Sequence, residues 1–382
     1  MKVCDVVLNS IWYDPRVRKQ IVEYIAQDIE LSCVGMKCAR YDYDKIQMIP
    51  CSTNVVQIPA EYDGQQKSVF RKLKREWLRF KMVRDAIIEE KPDLIHANDL
   101  NALIPAYAAK RKLKCRIVYD SHEVYIENYT LNGRSPLAVL MKAVEKYLVR
   151  RVDLMVCVSN AAAEYFEKTY GIKRPMVVTN CSLKKERVDK KAGNQTPFEV
   201  LNHGQFYEGR GYELMVDACD LLMDYPDIHL AIRGFGRLEK QLRADVEKKK
   251  NKESFVFYPP VTVQELIPKA SESSVGVAIT LPICLNFKLS VSNKLFEYAA
   301  AGLPVIMSDI PEHRYLNEKY GIGIILEENT PACFAEAVKK LYSDREFYNI
   351  CAKGARRMSG EVNWEKEFGK LIGVARTLCD ES

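Results

Sequence analysis

Ser290-Val-Ser292-Asn293-Lys294-Leu-Phe-Glu297-Tyr-Ala-Ala-Ala-Gly302-Leu-Pro304-Val-Ile-Met-Ser308-Asp309 has the grammar of a short helix, a turn and a buried strand. Ser290 and Ser292 suit an N-cap, where a hydroxyl accepts a hydrogen bond from an amide of the first turn. Leu295, Phe296, Tyr298 and three alanines form the apolar body. Gly302 stands where a left-handed C-cap belongs, and Pro304 leads into Val305-Ile306-Met307. The start of such a helix offers orphan amides and a positive dipole end to an anion. Lys294 and Glu297, three residues apart, share one face. A cation beside the amides and a carboxylate one turn deeper suit a ligand with phosphates at one end and hydroxyls at the other. The plain alternative is an ordinary helix–turn–strand unit with a surface Lys–Glu pair.

The residues leading up to this stretch repeat a strand–helix alternation. Phe198–Leu201 reads as a strand and runs into Asn202-His203-Gly204-Gln-Phe-Tyr-Glu-Gly209-Arg210-Gly211. Glycines there let backbone approach a ligand, and Arg210 is placed to meet a phosphate; a Gly-rich surface turn is the simpler reading. Ile228–Ile232 ends in Arg233-Gly234-Phe-Gly236, and Val275–Ile279 precedes a polar loop that leads into Ser290. Strand ends bearing glycine or polar residues are where an open α/β sheet builds its ligand crevice.

The first half alternates in the same way, with strands expected at Val3–Leu8, Ile29–Val34 and Val55–Ile58. Asn9 to Val17, containing Asp14 and Arg16, forms the first strand-to-helix loop and carries no G-x-G-x-x-G. Pro92-Asp-Leu-Ile-His96-Ala-Asn98-Asp99 and Arg116-Ile-Val-Tyr119-Asp120-Ser-His122-Glu123 each deliver a histidine to a strand's carboxyl end. His122, flanked by acids in a chain with only five His, is the stronger functional candidate; a satisfied structural histidine is the common alternative for either.

Residues 66–90 read as a long helix in which Lys67, Arg71, Lys72, Lys74, Arg75, Arg79, Lys81 and Arg84 crowd around Phe70, Leu73, Trp77, Leu78 and Phe80. Two readings stand side by side: a peripheral contact with an anionic bilayer, or a solvated helix with one face in the core. No recognition motif supports nucleic acid. Residues 184–197 are polar and aperiodic, the expected linker between domains 1–190 and 191–382. A last amphipathic helix, about 363–378, is expected to pack across the domains.

At 382 residues, 47% hydrophobic and 28% charged, the chain has room for two cores. Its net charge of +6 is uneven: residues 1–192 hold 34 Lys and Arg against 24 Asp and Glu, the remainder 23 against 27. The twelve cysteines show no C-x-x-C and no His/Cys cluster at metal spacing, so buried thiols in a reducing cytoplasm are expected. No run approaches a membrane span, and the opening strand lacks the basic region of a signal peptide. The fold expected from these patterns is α/β, two doubly wound Rossmann-like domains facing a central cleft.

With Ser292-Asn-Lys-Leu-Phe-Glu297-Tyr-x-x-x-Gly302-Leu-Pro-Val in place, the chain resembles the retaining family 4 (group 1) glycosyltransferases of GT-B fold. Asp14-Pro-Arg-Val17, the His96 and His122 strand ends, Val158-Ser159, Gly209-Arg210-Gly211 and Gly234-Phe-Gly236 extend the resemblance over nearly the whole length. It implies a nucleotide-sugar donor, UDP- or GDP-linked, on the C-terminal domain and a glycan or lipid-linked acceptor on the N-terminal one. Glu297 would bind ribose hydroxyls; Ser292, Asn293, Lys294, Gly204 and Gly234 would lie near the donor. Arg210 would neutralise the leaving diphosphate, His122 would sit by the transferred sugar, and Asp14, Arg16 and His96 would lie on the acceptor side. Neither cofactor nor metal is implied, because helix amides and a cation bear the leaving charge. The product would belong to cell-surface polysaccharide or glycolipid, made in the cytoplasm or at the membrane's inner face. Two positions depart from the pattern: Leu289 stands where a second glutamate is common, and Gln205 where an arginine is. A non-catalytic sugar-nucleotide-binding subunit and an epimerase-like enzyme of the same architecture are the alternatives.

Overall fold

The computed structural model describes residues 1–12, 14–37, 51–57, 68–127, 135–188 and 196–381. The chain divides into two compact units, Met1–Thr179 with Glu365–Ser382, and Asn180–Trp364. Ile58, Gln66, Lys67 and the middle of the expected linker, including Gly193 and Asn194, lie outside the described residues.

In the N-terminal unit β1 (Lys2–Val7), α1 (Pro15–Ala26), β2 (Glu30–Met36), β3 (Ser52–Val56), α2 (Val69–Glu90), β4 (Leu94–Asn98) and α3 (Asp99–Leu113) follow one another. β5 (Arg116–Ser121), α4 (Pro136–Val149), β6 (Leu154–Cys157), α5 (Asn160–Tyr170) and β7 (Met176–Val177) complete it. The sheet order is β3-β2-β1-β4-β5-β6-β7, with parallel pairing throughout. Strands such as Val3–Val7 are continuously buried, as helices on both faces require.

The C-terminal unit runs β8 (Phe198–Gln205), α6 (Tyr212–Ala218), β9 (Ile228–Phe235), α7 (Glu239–Val246), β10 (Phe255–Tyr258), α8 (Val263–Ala270) and β11 (Val275–Ala278). It continues through α9 (Leu285–Leu289), α10 (Asn293–Ala300), β12 (Val305–Ser308), α11 (Pro311–Tyr320), β13 (Gly323–Leu326), α12 (Pro331–Ser343) and α13 (Arg345–Glu361). Its parallel sheet has the order β10-β9-β8-β11-β12-β13. In each sheet the order reverses beside the first strand, at β1/β4 and at β8/β11, and crevices open at the carboxyl ends of such switch points.

The last helix, α14 (Trp364–Asp380), belongs to the N-terminal unit from Glu365 onward. Phe368 meets Tyr24 edge-on at 5.0 Å, and the Arg116 guanidinium donates to the Leu378 carbonyl at 3.0 Å. The residues after Thr179 join the C-terminal unit because their backbone is tied there: the Val188 amide donates to the Ala300 carbonyl at 2.9 Å, and the Trp364 amide to Ser182 at 3.0 Å.

Candidate functional site

α10 starts at a cavity of about 320 Å³ in the C-terminal unit, lined by β8's carboxyl end, Arg210 and Tyr212 from the following loop and helix, and Ser292, Asn293, Lys294 and Glu297. Its C-terminus closes as the sequence predicts. Gly302 takes φ 75°, its amide donates to Ala299 and the Leu303 amide to Tyr298, a Schellman pair. Its N-terminus differs. Ser292 sits at the N-cap with extended backbone but makes no side-chain capping bond, and Ser290 instead ends α9, its hydroxyl donating to the Phe287 carbonyl at 3.3 Å. The Ser292 amide is held from elsewhere, donating to His313 Nε2 at 3.4 Å. His313 is wholly buried and its Nδ1–H donates to the Ser308 carbonyl at 3.1 Å, which fixes the neutral tautomer. Burial pushes its pKa down to about 4.

Lys294 and Glu297 share the expected face, but each is held by a different residue of β8. Lys294 Nζ donates to Asn202 Oδ1 at 2.7 Å, while the Asn202 amide donates to the Arg210 carbonyl at 3.1 Å. One asparagine thus ties the lysine to the loop that carries the arginine. Burial first, and then the Arg210 charge, push the Lys294 ammonium down to about 7, with Glu297 opposing. The Arg210 guanidinium stacks over Phe287 of α9 at 4.4 Å. Glu297 Oε2 accepts from His203 Nε2 at 2.8 Å and keeps a quarter of its side chain exposed. A carboxylate only accepts, so the His203 proton resides on Nε2. The ring stacks on Tyr298 at 4.4 Å, and the Tyr298 hydroxyl accepts the His203 amide at 2.9 Å. Consecutive residues of α10, Glu297 and Tyr298, therefore clamp one histidine. Tyr298 fits only because Gly276 lies beneath it: a Cβ there would come within 2.2 Å of the ring.

Gly204 lines the cavity with φ 125°, whereas Gly234 does not line it. The two are partners in register between β8 and β9, and a Cβ on Gly234 would fall 1.9 Å from the Gly204 carbonyl oxygen. Gly234 allows backbone to approach backbone.

The remaining candidates belong to the N-terminal unit. His122 keeps 14% of its side chain exposed. The Asn98 amide donates to Asp5 Oδ1 at 2.5 Å and to the Val6 carbonyl at 3.2 Å, which turns its oxygen toward His122 Nε2 at 2.9 Å. Nε2 therefore carries the proton, and Nδ1 lies 3.6 Å from Asp99 Oδ2. Asp99 also accepts the His122 amide at 2.9 Å and holds a left-handed φ of 64°, an unusual conformation that fixes this corner.

Arg16 and His96, expected on the acceptor side, are interior residues. Arg16, 3% exposed, clasps Asp120 at 2.8–3.0 Å and donates to the Val178 carbonyl at 3.2 Å. His96 is fully buried between Tyr24, whose hydroxyl lies 2.8 Å from Nδ1, and the ring of Phe368. Burial raises the Asp120 pKa, but Arg16 and the His96 hydrogen bond outweigh it and hold the carboxyl well below its ordinary range. Asp14 caps α1, accepting the amides of Arg16 and Val17, and alone of the three keeps some solvent access.

Sequence reading did not assign Asn202, His203, Tyr298, Asn98 or His313. Asn202 and His203 had a visible signal, their place at a strand end just before Gly204. Asn98 had the same signal at the end of its strand, whereas His313 acts through folded contacts and no local pattern marks it.

Residues 39–183 match the family model Glycosyltransferase Family 4, and residues 184–358 match Glycosyl transferases group 1. Among curated proteins, D-inositol 3-phosphate glycosyltransferase of Geodermatophilus obscurus is 26% identical over 125 residues. That match covers 33% of this chain and 26% of the relative, about a quarter of the relative's length. Among solved structures, sucrose-phosphate synthase from Thermosynechococcus elongatus superposes with TM-score 0.80 at 16% identity, covering 100% of both chains. Anabaena Alr3699/HepE in complex with UDP and glucose gives 0.72 at 13%, covering 99% of each. At those identities the likeness is one of fold: GT-B, with two Rossmann-like domains. With the two models running consecutively from residue 39 to 358, the chain is built as a glycosyltransferase, a Glycosyltransferase Family 4 part followed by a group 1 part.

Proposed function

We propose that this chain transfers a sugar from a nucleoside-diphosphate donor to a hydroxyl of a glycan or lipid-linked acceptor, with retention at the anomeric carbon. One observation carries the reading: Arg210, Lys294, the start of α10 and Glu297 converge on a single cavity of about 320 Å³. Two cations and a helix N-terminus suit a diphosphate, and a partly exposed carboxylate held by His203 suits the paired hydroxyls of a ribose. The bond from the anomeric carbon to the phosphate oxygen breaks, and the diphosphate leaves with the electron pair. Arg210 and Lys294 stabilise that charge without a metal ion. The acceptor oxygen bonds to the carbon on the same face and gives its proton to the departing diphosphate oxygen. For His122 we propose the role the resemblance implies, a polar contact to the transferred sugar. UDP, bound in the Anabaena neighbour, is the first nucleotide to try, with GDP second. The resemblance also supports a role in surface polysaccharide or glycolipid synthesis on the cytoplasmic side.

Calorimetric titration with UDP and GDP tests the site. Glu297→Ala should weaken the preferred nucleotide by about tenfold to a hundredfold, the worth of a charged hydrogen-bond pair. His122→Ala should lower kcat while donor affinity stays within about twofold. Unchanged nucleotide affinity in Glu297→Ala would remove the central assignment. Release of nucleoside diphosphate from a sugar donor separates catalysis from mere binding, and the anomeric configuration of the product decides retention.

A further inference from the structure

Val69, Phe70, Leu73 and Trp77 are 70%, 76%, 65% and 57% exposed. At about 100° per residue they fall on a single stripe of α2 roughly 100° wide. Only farther along does the helix close on the unit's core, through Val83, Ala86 and Ile87. The first half of a 22-residue helix therefore presents an apolar stripe to solvent. Its borders are cationic. Residues 69–84 hold seven Lys or Arg and one acid, Glu76, which Arg75 and Arg79 engage. Arg71, Lys72, Lys74 and Lys81 are exposed, and Lys81 Nζ lies 5.6 Å from the centre of the Trp77 ring.

A solvated helix carries no such stripe, and a purely electrostatic surface has no use for exposed Phe, Leu and Trp. An anionic bilayer matches both features: the apolar chains enter the acyl boundary, Trp77 lies at headgroup level, and the ammonium groups meet lipid phosphates. We propose that the first half of α2 docks this protein on an anionic membrane surface. Among the described residues no helix is long and apolar enough to cross a membrane, so the contact is interfacial. The inference is independent of the sugar-transfer reading, and the test below involves no turnover.

The full chain is sedimented with vesicles of phosphatidylglycerol in phosphatidylcholine, and with vesicles of phosphatidylcholine alone. Binding is expected to the anionic vesicles at low salt, with release at high salt. Trp77 emission should shift to the blue on binding, and Trp77→Phe should lose that shift while still binding. The pair Phe70→Ser and Leu73→Ser should weaken the partition by about tenfold or more. Lys72→Glu with Lys74→Glu should cost about fivefold or more for each lysine. Because all four positions are exposed, thermal unfolding and nucleotide binding should stay at wild-type levels. No binding to anionic vesicles, equal binding to neutral ones, or unaltered partition in the serine pair would overturn the proposal. A concentration-dependent dimer dissolved by the same serine pair would assign the stripe to a second copy instead.

Discussion

Lys294 shows how far one side chain's burial can set the chemistry of a site. Its ammonium is lodged between Asn202 Oδ1, 2.7 Å away, and the Tyr212 ring, 5.5 Å from its centre. Desolvation, with Arg210 beyond, brings it down to about 7, so much of the unliganded protein carries a neutral lysine above neutral pH. A bound diphosphate reverses the balance, because its negative charge favours the ammonium. Binding above pH 7 should therefore take up a proton, and affinity should fall as pH rises, by at most about tenfold per pH unit. Titration calorimetry in two buffers of different ionisation enthalpy measures the proton directly. In Lys294→Met the affinity should be lower and the uptake absent. Identical affinities in the wild type from neutral to alkaline pH would show that the lysine contributes no titrating charge.

Among the elements, α1, β4, β5 and the segment after β7 are joined at one buried point. The Arg16 guanidinium from α1 meets Asp120 from β5 and the Val178 carbonyl, while Gln20 and His96 add contacts of 2.9 and 3.4 Å to the same carboxylate. Removing the cation would leave a carboxylate at 0% exposure without its counter-charge. Arg16→Ala should cost about 3–5 kcal/mol in denaturant unfolding, while nucleotide affinity per folded molecule is unchanged. A loss below about 1 kcal/mol would mean that the pair is not the tie it looks like. This knot also marks the limit of what the sequence discloses. Asp14-Pro-Arg16 was legible as part of a strand-to-helix loop and Tyr119-Asp120 as a strand end with polar residues, and the strand–helix alternation placed most elements within a few residues. The partner of Arg16 lies 104 residues away, so the side chain was equally readable as facing an acceptor. Likewise His203 and Glu297 are 94 residues apart: the carboxylate had a local motif, whereas the histidine holding it did not. α9 was expected as loop, since five residues give too little periodicity to read.

At the scale of the whole molecule the two units respond to acid with opposite signs. His313 in the C-terminal unit is pushed from its ordinary 6.5 down to about 4, chiefly by burial. Between those values the unfolded chain binds a proton that the folded unit refuses. Its stability therefore falls as pH drops through this window, by about 3 kcal/mol in all. In the N-terminal unit burial raises Asp5 from 3.8 to about 6, with His96 and Asn98 opposing. There the folded form binds the extra proton, so acidification through the same window stabilises. Asp120, held low, withdraws its contribution only below the ordinary carboxylate range. Scanning calorimetry from neutral pH toward pH 4.5 or so should then separate two transitions, the lower belonging to the C-terminal unit. Saturating nucleotide should raise that lower transition selectively, because the cavity lies wholly within it. His313→Asn, which keeps a polar side chain without the titrating ring, should narrow the separation. A single transition whose midpoint is insensitive to pH, in both proteins, would refute the opposed titrations.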